Sequence, residues 1–171
     1  MSFRPVLLCF WLSTSAIAVA EPFSADHLVR MSRVGAPVAA PDGDLVVFTL
    51  RETDMDAGKG RYDLWLGDLE GGAPRRLTSH QANDTSPAWT PDGQSVLFLS
   101  SRGGSSQVWR IAVTGGEAQP VTDLPLDVGS FKLSPAGDRL VVSMSVYLDC
   151  EDLQCTVDRD QQQADSKVSA R

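Results

Sequence analysis

The chain has 171 residues, enough for one ordinary domain with a sizeable core, and its 42% hydrophobic and 22% charged residues are the mix of a soluble globular protein. A formal charge of −7 argues against nucleic acid or an anionic membrane as a partner, since both demand a surplus of Lys and Arg.

The first stretch, MSFRPVLLCFWLSTSAIAVA, has one cation at Arg4, an apolar run from Val6 to Leu12 and a small-residue close at Ala18-Val19-Ala20. That is the layout of a cleavable secretory signal over residues 1–20, with cutting after Ala20. A membrane anchor fits less well, because a span needs about 20 mostly apolar residues and Ser13, Thr14 and Ser15 interrupt this run. Cys9 is followed by Phe10 after a very short basic region, poor surroundings for a lipid-bearing cysteine. The expectation is a periplasmic or secreted protein with no membrane contact in its mature form.

Residues 21–35 predict a short N-terminal helix. Ser24 can cap it, Asp26 falls in its positive first turn, and Phe23 and Leu28 occupy the two positions of a hydrophobic staple.

Residues 36–149 carry a repeat. Three turn sequences align, Ala40-Pro41-Asp42-Gly43, Thr90-Pro91-Asp92-Gly93 and Ser134-Pro135-Ala136-Gly137. Proline presets the second turn position and glycine suits the fourth, so each reads as a tight type I turn. Each is followed by an apolar run (DLVVFTL, QSVLFLSS, DRLVVSMS) whose consecutive hydrophobic positions require cover on both faces. Downstream, DLWLGDLEGGAPRRLT matches QVWRIAVTGGEAQPVT at a fixed offset of 44, aligning Trp65 with Trp109, Gly71 with Gly115 and Thr78 with Thr122. The first two turns lie 50 apart, the extra residues falling in the loop RETDMDAGKGRYD. A four-stranded unit of about 40–50 residues, repeated, is the signature of a propeller blade. The expected fold class is all-β, a partial β-propeller of about two complete four-stranded blades plus the start of a third. A β-sandwich would not repeat four-strand landmarks at one offset. Propellers close with about 4–8 blades, so the chain is expected to be truncated.

Residues 150–171 form a cysteine loop and polar tail. Once Cys9 leaves with the signal, Cys150 and Cys155 remain, in YLDCEDLQCTVD. In an oxidising compartment the pair is most simply a disulfide closing a small loop, with two free thiols as the alternative. Zinc would need four ligands, and this segment has no His. The tail TVDRDQQQADSKVSAR is either a solvated helix or disordered.

Candidate chemistry is sparse. His27 and His80 have no Ser or Cys neighbour in a suggestive arrangement and read as structural or solvent groups. Asp54-Met55-Asp56-Ala57-Gly58 opens like a calcium loop but lacks the third ligand and the closing Glu, so it reads as a hairpin tip. Turn chemistry accounts for Asp42 and Asp92, and packing for Trp65 and Trp109. Glu151 and Asp152 read as solvated acids. Gly58-Lys59-Gly60 lacks the upstream glycine of a phosphate loop. No catalytic residue, metal ligand or cofactor is assigned.

The segments SADHLVRMSRVGAPVAAPDG and SVYLDCEDLQCTVDRDQQQADSKVSAR, flanking the blades, resemble exported bacterial members of the prolyl oligopeptidase family, the dipeptidyl and acylaminoacyl peptidases. The Pro-Asp-Gly blades are also similar to those of the periplasmic Tol propeller. The resemblance covers essentially the whole mature chain. It implies a propeller that limits access to a C-terminal α/β-hydrolase domain acting on short peptides, with its Ser on a Gly-x-Ser-x-Gly elbow. This sequence has no such elbow: Gly103-Gly104-Ser105-Ser106-Gln107 fails at its last position, and Gly129-Ser130-Phe131 does not fit. The expected function is the gating part of a serine peptidase whose catalytic domain is absent. The alternative is a non-catalytic Tol-type propeller that binds proteins or peptides.

Overall fold

The computed structural model of the chain describes residues 22–169. The signal segment over residues 1–20 and its cleavage point at Ala20 lie outside the described residues. Ser24 caps α1 (Ala25–Arg30): its Oγ accepts the His27 N–H at 3.3 Å, while His27 Nδ1 accepts the Ser24 N–H at 3.2 Å. The helix is shorter than the 21–35 span because Arg33 and Val34 leave it to pair with Arg51 and Leu50. Phe23 and Leu28 both stay exposed, and the Phe23 ring sits 5.9 Å from that of His27.

Blade 1 comprises β1 (Arg33–Val34), β2 (Val38–Ala39), β3 (Leu45–Asp54), β4 (Lys59–Asp68) and β5 (Arg75–Arg76). Its sheet order is β1-β3-β4-β5, with β2 also on β3, so β1 and β2 are two pieces of one broken first strand. Blade 2 is the four-stranded sheet β6 (Asp84–Trp89), β7 (Ser95–Ser100), β8 (Gln107–Ala112) and β9 (Gln119–Pro120), in that order. Its first strand is irregular at the equivalent point: the β6–β7 register slips between Thr85 and Ala88, and Ser86 has φ 54°. Pro37 and Pro87 hold matching places there. A residue without an N–H cannot extend a regular ladder, and a bulge accommodates it. The third unit contributes β10 (Ser130–Leu133) and β11 (Leu140–Ser143), a two-stranded ribbon. All of these pairings are antiparallel.

The landmarks that repeat in sequence make the same bonds in space. Gly43, Gly93 and Gly137 each donate an N–H back across the turn, to Ala40, Thr90 and Ser134, at 2.9–3.0 Å. Each has positive φ (87°, 66° and 76°), where a side chain would be strained. Thr78 Oγ1 accepts the Leu64 N–H at 3.0 Å and Thr122 Oγ1 accepts the Val108 N–H at 2.9 Å. Each short fourth strand thus ends by capping the third through a hydroxyl, which explains why Leu-Thr and Val-Thr close the two units.

The core lies between blades. Val47, Leu64, Leu66 and Leu77 of blade 1 pack against Val96, Phe98 and Ile111 of blade 2. Leu97, Leu99 and Val108, on the other face of blade 2, meet Phe131, Leu133, Leu140 and Val142 of the third unit. All six residues of β7 are therefore buried, the physical reason for its unbroken apolar run. Each fully buried Leu or Phe contributes about 1.5–3 kcal/mol. Trp89 Nε1 donates to the Val38 carbonyl across the seam at 2.8 Å.

After β11 the chain turns through Asp149–Asp152 into α2 (Leu153–Ser169). Asp152 caps it, its Oδ1 accepting the Cys155 N–H at 2.8 Å. Of the two readings of the tail, helix is the one adopted. Cys150 and Cys155 are joined by a disulfide, with Cα atoms 5.5 Å apart.

Candidate functional site

Two faces of blade 1 meet different surroundings. The β3–β4 register sets Phe48 opposite Trp65, and the β4–β5 register sets Trp65 opposite Arg76. Side chains alternate across a strand, so Val46, Phe48, Leu50, Asp63, Trp65 and Arg76 share the face turned away from blade 2. We call this the leading face. Phe98 and Trp109, the equivalents in blade 2, lie on its leading face and pack on blade 1. On blade 1 no described blade covers the corresponding surface: Phe48 and Trp65 are only half-buried, and Val34 at its edge is 68% exposed.

The turns tell the same story. A Cβ built on Gly137 would lie 3.1 Å from Pro91, and one on Gly93 would lie 3.8 Å from Pro41. Gly93 and Gly137 therefore each face the proline of the preceding blade's turn. A Cβ on Gly43 would meet nothing within 4 Å.

The leading face of blade 1 carries a charge network at its end. Asp63 is 1% exposed, with Arg61 Nε at 3.1 Å and Arg76 Nη2 at 3.4 Å. Glu52 pairs with Arg76, whose guanidinium lies 5.3 Å from the Trp65 ring. Burial pushes the Asp63 carboxyl above the usual range, and the two arginines pull it back only in part. Asp63 Oδ1, Trp65 Nε1 and Arg76 Nε have no hydrogen-bond partner. A cavity of about 550 Å³ borders Glu52, Arg61, Trp65 and Arg76.

Blade 2 solves the same positions differently. Gln107, aligned with Asp63, accepts from Thr122 Oγ1 and the Leu124 N–H, and donates to the carbonyls of Leu124 and Leu126. Arg102 makes two bonds of 2.7–2.8 Å to the fully buried Asp84 and lies 5.2 Å from the Trp109 ring. A second cavity, of about 460 Å³, opens between the blades beside Trp109, Arg102 and His80. Sequence reasoning missed the Arg102–Asp84 pair. Its only sequence signal is an acid at the start of a first strand and an Arg just past the second.

The residues singled out for chemistry disperse. His27 serves its helix cap, and His80 Nδ1 accepts the Ala82 N–H at 3.0 Å. Asp54 Oδ1 accepts the N–H groups of Asp56 and Ala57, organising the β3–β4 hairpin tip. Asp92 accepts from Thr90 Oγ1 and the Gln94 N–H, which hold its carboxyl below the usual range, and Asp42 accepts the Asp44 N–H. Glu151 is exposed and Asp152 caps α2. No group of three or more His, Cys, Asp or Glu among the described residues is placed to hold a metal ion. No helix among them is long and apolar enough to cross a membrane. What the arrangement leaves open is a sheet face and a turn that no described blade covers.

Comparison with known proteins agrees with the blade architecture. The family model described as the TolB beta propeller domain matches residues 23–166. An uncharacterized peptidase of Bacillus subtilis, YuxL, is 28% identical over 124 residues, covering 72% of this chain and 19% of the relative. Dipeptidyl-peptidase 5 of Porphyromonas gingivalis is 30% identical over 88 residues, or 52% of this chain and 13% of the relative. The solved structure of a putative TolB from Agrobacterium tumefaciens superposes with a TM-score of 0.54 at 29% identity, over 71% of this chain and 41% of that one. The chain thus spans under a fifth of the length of the two peptidase relatives.

Proposed function

This chain belongs to the TolB beta propeller domain family, and from that premise we propose that it is the access-limiting propeller portion of an exported serine peptidase acting on short peptides. It is related both to peptidase propellers and to TolB-like proteins. The observation that carries the reading is the uncovered leading face of blade 1. Phe48, Trp65 and the open space over Gly43 suit a further blade, and the much longer peptidase relatives have room for one and for a hydrolase domain. Acyl transfer would be performed there, by a Ser activated through His and Asp beside backbone N–H groups that hold the oxyanion. The blades would screen the site by size, and residues 1–20 would direct the protein to the periplasm or outside the cell.

The purified 171-residue chain should release no chromophore from aminoacyl or dipeptidyl substrates. Turnover abolished by a serine-directed inhibitor would overturn the assignment of chemistry to residues outside this chain. The likeness to the putative TolB structure favours a second reading, a non-catalytic propeller that binds proteins or peptides. The coding sequence beyond Arg171 separates the two. A Gly-x-Ser-x-Gly elbow with a later Asp and His supports the peptidase, whereas further blades and a stop support the binding protein.

A further inference from the structure

The segment after β11 is held differently from everything before it. α2 makes no substantial contact with any strand, and among its described side chains only Thr156 is buried. Its attachments run instead to the loop just before it. Thr156 Oγ1 accepts the Tyr147 N–H at 3.4 Å, and Asp160 accepts from the Tyr147 hydroxyl at 3.0 Å. Arg159 makes two bonds of 2.6 Å to Asp149 and lies 5.3 Å from the Tyr147 ring. These partners lie within fourteen residues, from Tyr147 to Asp160, and the charged ones are in contact with water. Exposed ion pairs add up to about 1 kcal/mol, and this two-pronged one stands at the upper end of that range, while a polar helix packed on nothing is marginal in water. The covalent link between Cys150 and Cys155 is the strong tie, joining the loop to the first turn of α2.

We propose that α2 is a redox-sensitive arm, ordered while Cys150 and Cys155 are bonded and released, with the blades intact, when a dithiol reduces them. In that step one thiolate of the dithiol attacks a sulfur of the bond and the second closes the mixed disulfide. Two electrons and two protons pass to the protein thiols, and the dithiol leaves as its cyclic disulfide. The inference does not depend on whether the whole protein is a peptidase.

Limited trypsin digestion of the full chain, with and without dithiothreitol, tests it. Reduction should speed cleavage after Arg159 roughly tenfold to fortyfold, the chain-entropy range for so short a loop, while cleavage after Arg102 stays unchanged. Far-ultraviolet circular dichroism should lose helical signal in parallel. A Cys150→Ser/Cys155→Ser variant should behave like the reduced chain and ignore dithiothreitol. Asp149→Asn, left oxidised, should change cleavage after Arg159 by no more than about fivefold. An unchanged rate after reduction, simultaneous opening at Arg102, or alkylation of Cys150 and Cys155 in the unreduced chain would each overturn the proposal. So would an Asp149→Asn effect as large as that of reduction, because the ion pair would then be the anchor.

Discussion

Phe48 and Phe98 occupy the same place in successive blades, opposite Trp65 and Trp109, yet Phe98 is fully buried and Phe48 keeps part of its ring in solvent. Backbone plan, turn and fourth-strand cap are shared. The chemistry around the indoles is not: blade 2 uses a neutral amide at Gln107 where blade 1 has Asp63 between two arginines. The difference shows that a blade is completed by its neighbours as much as by its own strands. Its pairing is local, but its burial comes from the blade before and the blade after.

The largest test of that contrast is a pair of truncations. Phe98→Ala should cost about 3–5 kcal/mol in urea unfolding, against about 1–2.5 kcal/mol for Phe48→Ala, whose ring keeps some contact with water. Equal costs would break the comparison. A rise in the Phe48 cost in a longer chain would sharpen it, by showing that a blade has covered the leading face.

The fourth-strand caps share one bond, but the second carries more. Thr78→Val strands the Leu64 N–H and should cost about 1–3 kcal/mol by the same measurement, and Thr122→Val, which strands the Val108 N–H and also removes the bond its hydroxyl donates to Gln107, should cost at least as much. A larger cost at Thr78 would show that the Gln107 bond carries no load.

The smallest effect is electrostatic and depends on pH. Burial raises the Asp63 carboxyl, so as pH climbs past the ordinary value of about 3.9 the unfolded chain gives up this proton first. Stability is then lost with rising pH until the folded carboxyl has also ionised, and nothing is lost below both values. Asp63→Asn should therefore show no stability difference from the parent near pH 3 and a gain growing toward pH 7, in melting curves across that range. The reverse trend would mean that the two arginines outweigh burial.

Much of the fold was legible because a blade writes itself in local signals. Pro-Asp-Gly and Pro-Ala-Gly fix turns within four residues, and the Trp, Gly-Gly and Thr landmarks recur at constant spacing. The short helix was legible from Ser24, but its end was not, since Arg33 and Val34 are drawn off by strand residues far along the chain. For the tail, composition left helix and disorder open; a cap at Asp152 and the Asp149–Arg159 pair accompany the helix, and neither follows from composition. The docking face itself could not be located from sequence. Apolar runs say that both faces need cover without saying which face lacks it, and the orphaned atoms of Asp63 and Arg76 depend on how two consecutive strands are brought together.

The approach of Gly93 and Gly137 to the prolines of the turns before them has a consequence for how such arrays evolve. A five-membered ring has few conformations to yield, so where it meets a bare glycine the step from one module to the next is limited by backbone volume. Side chains elsewhere in the seam can drift, and modules can be gained or lost, while the pitch of the array stays constant.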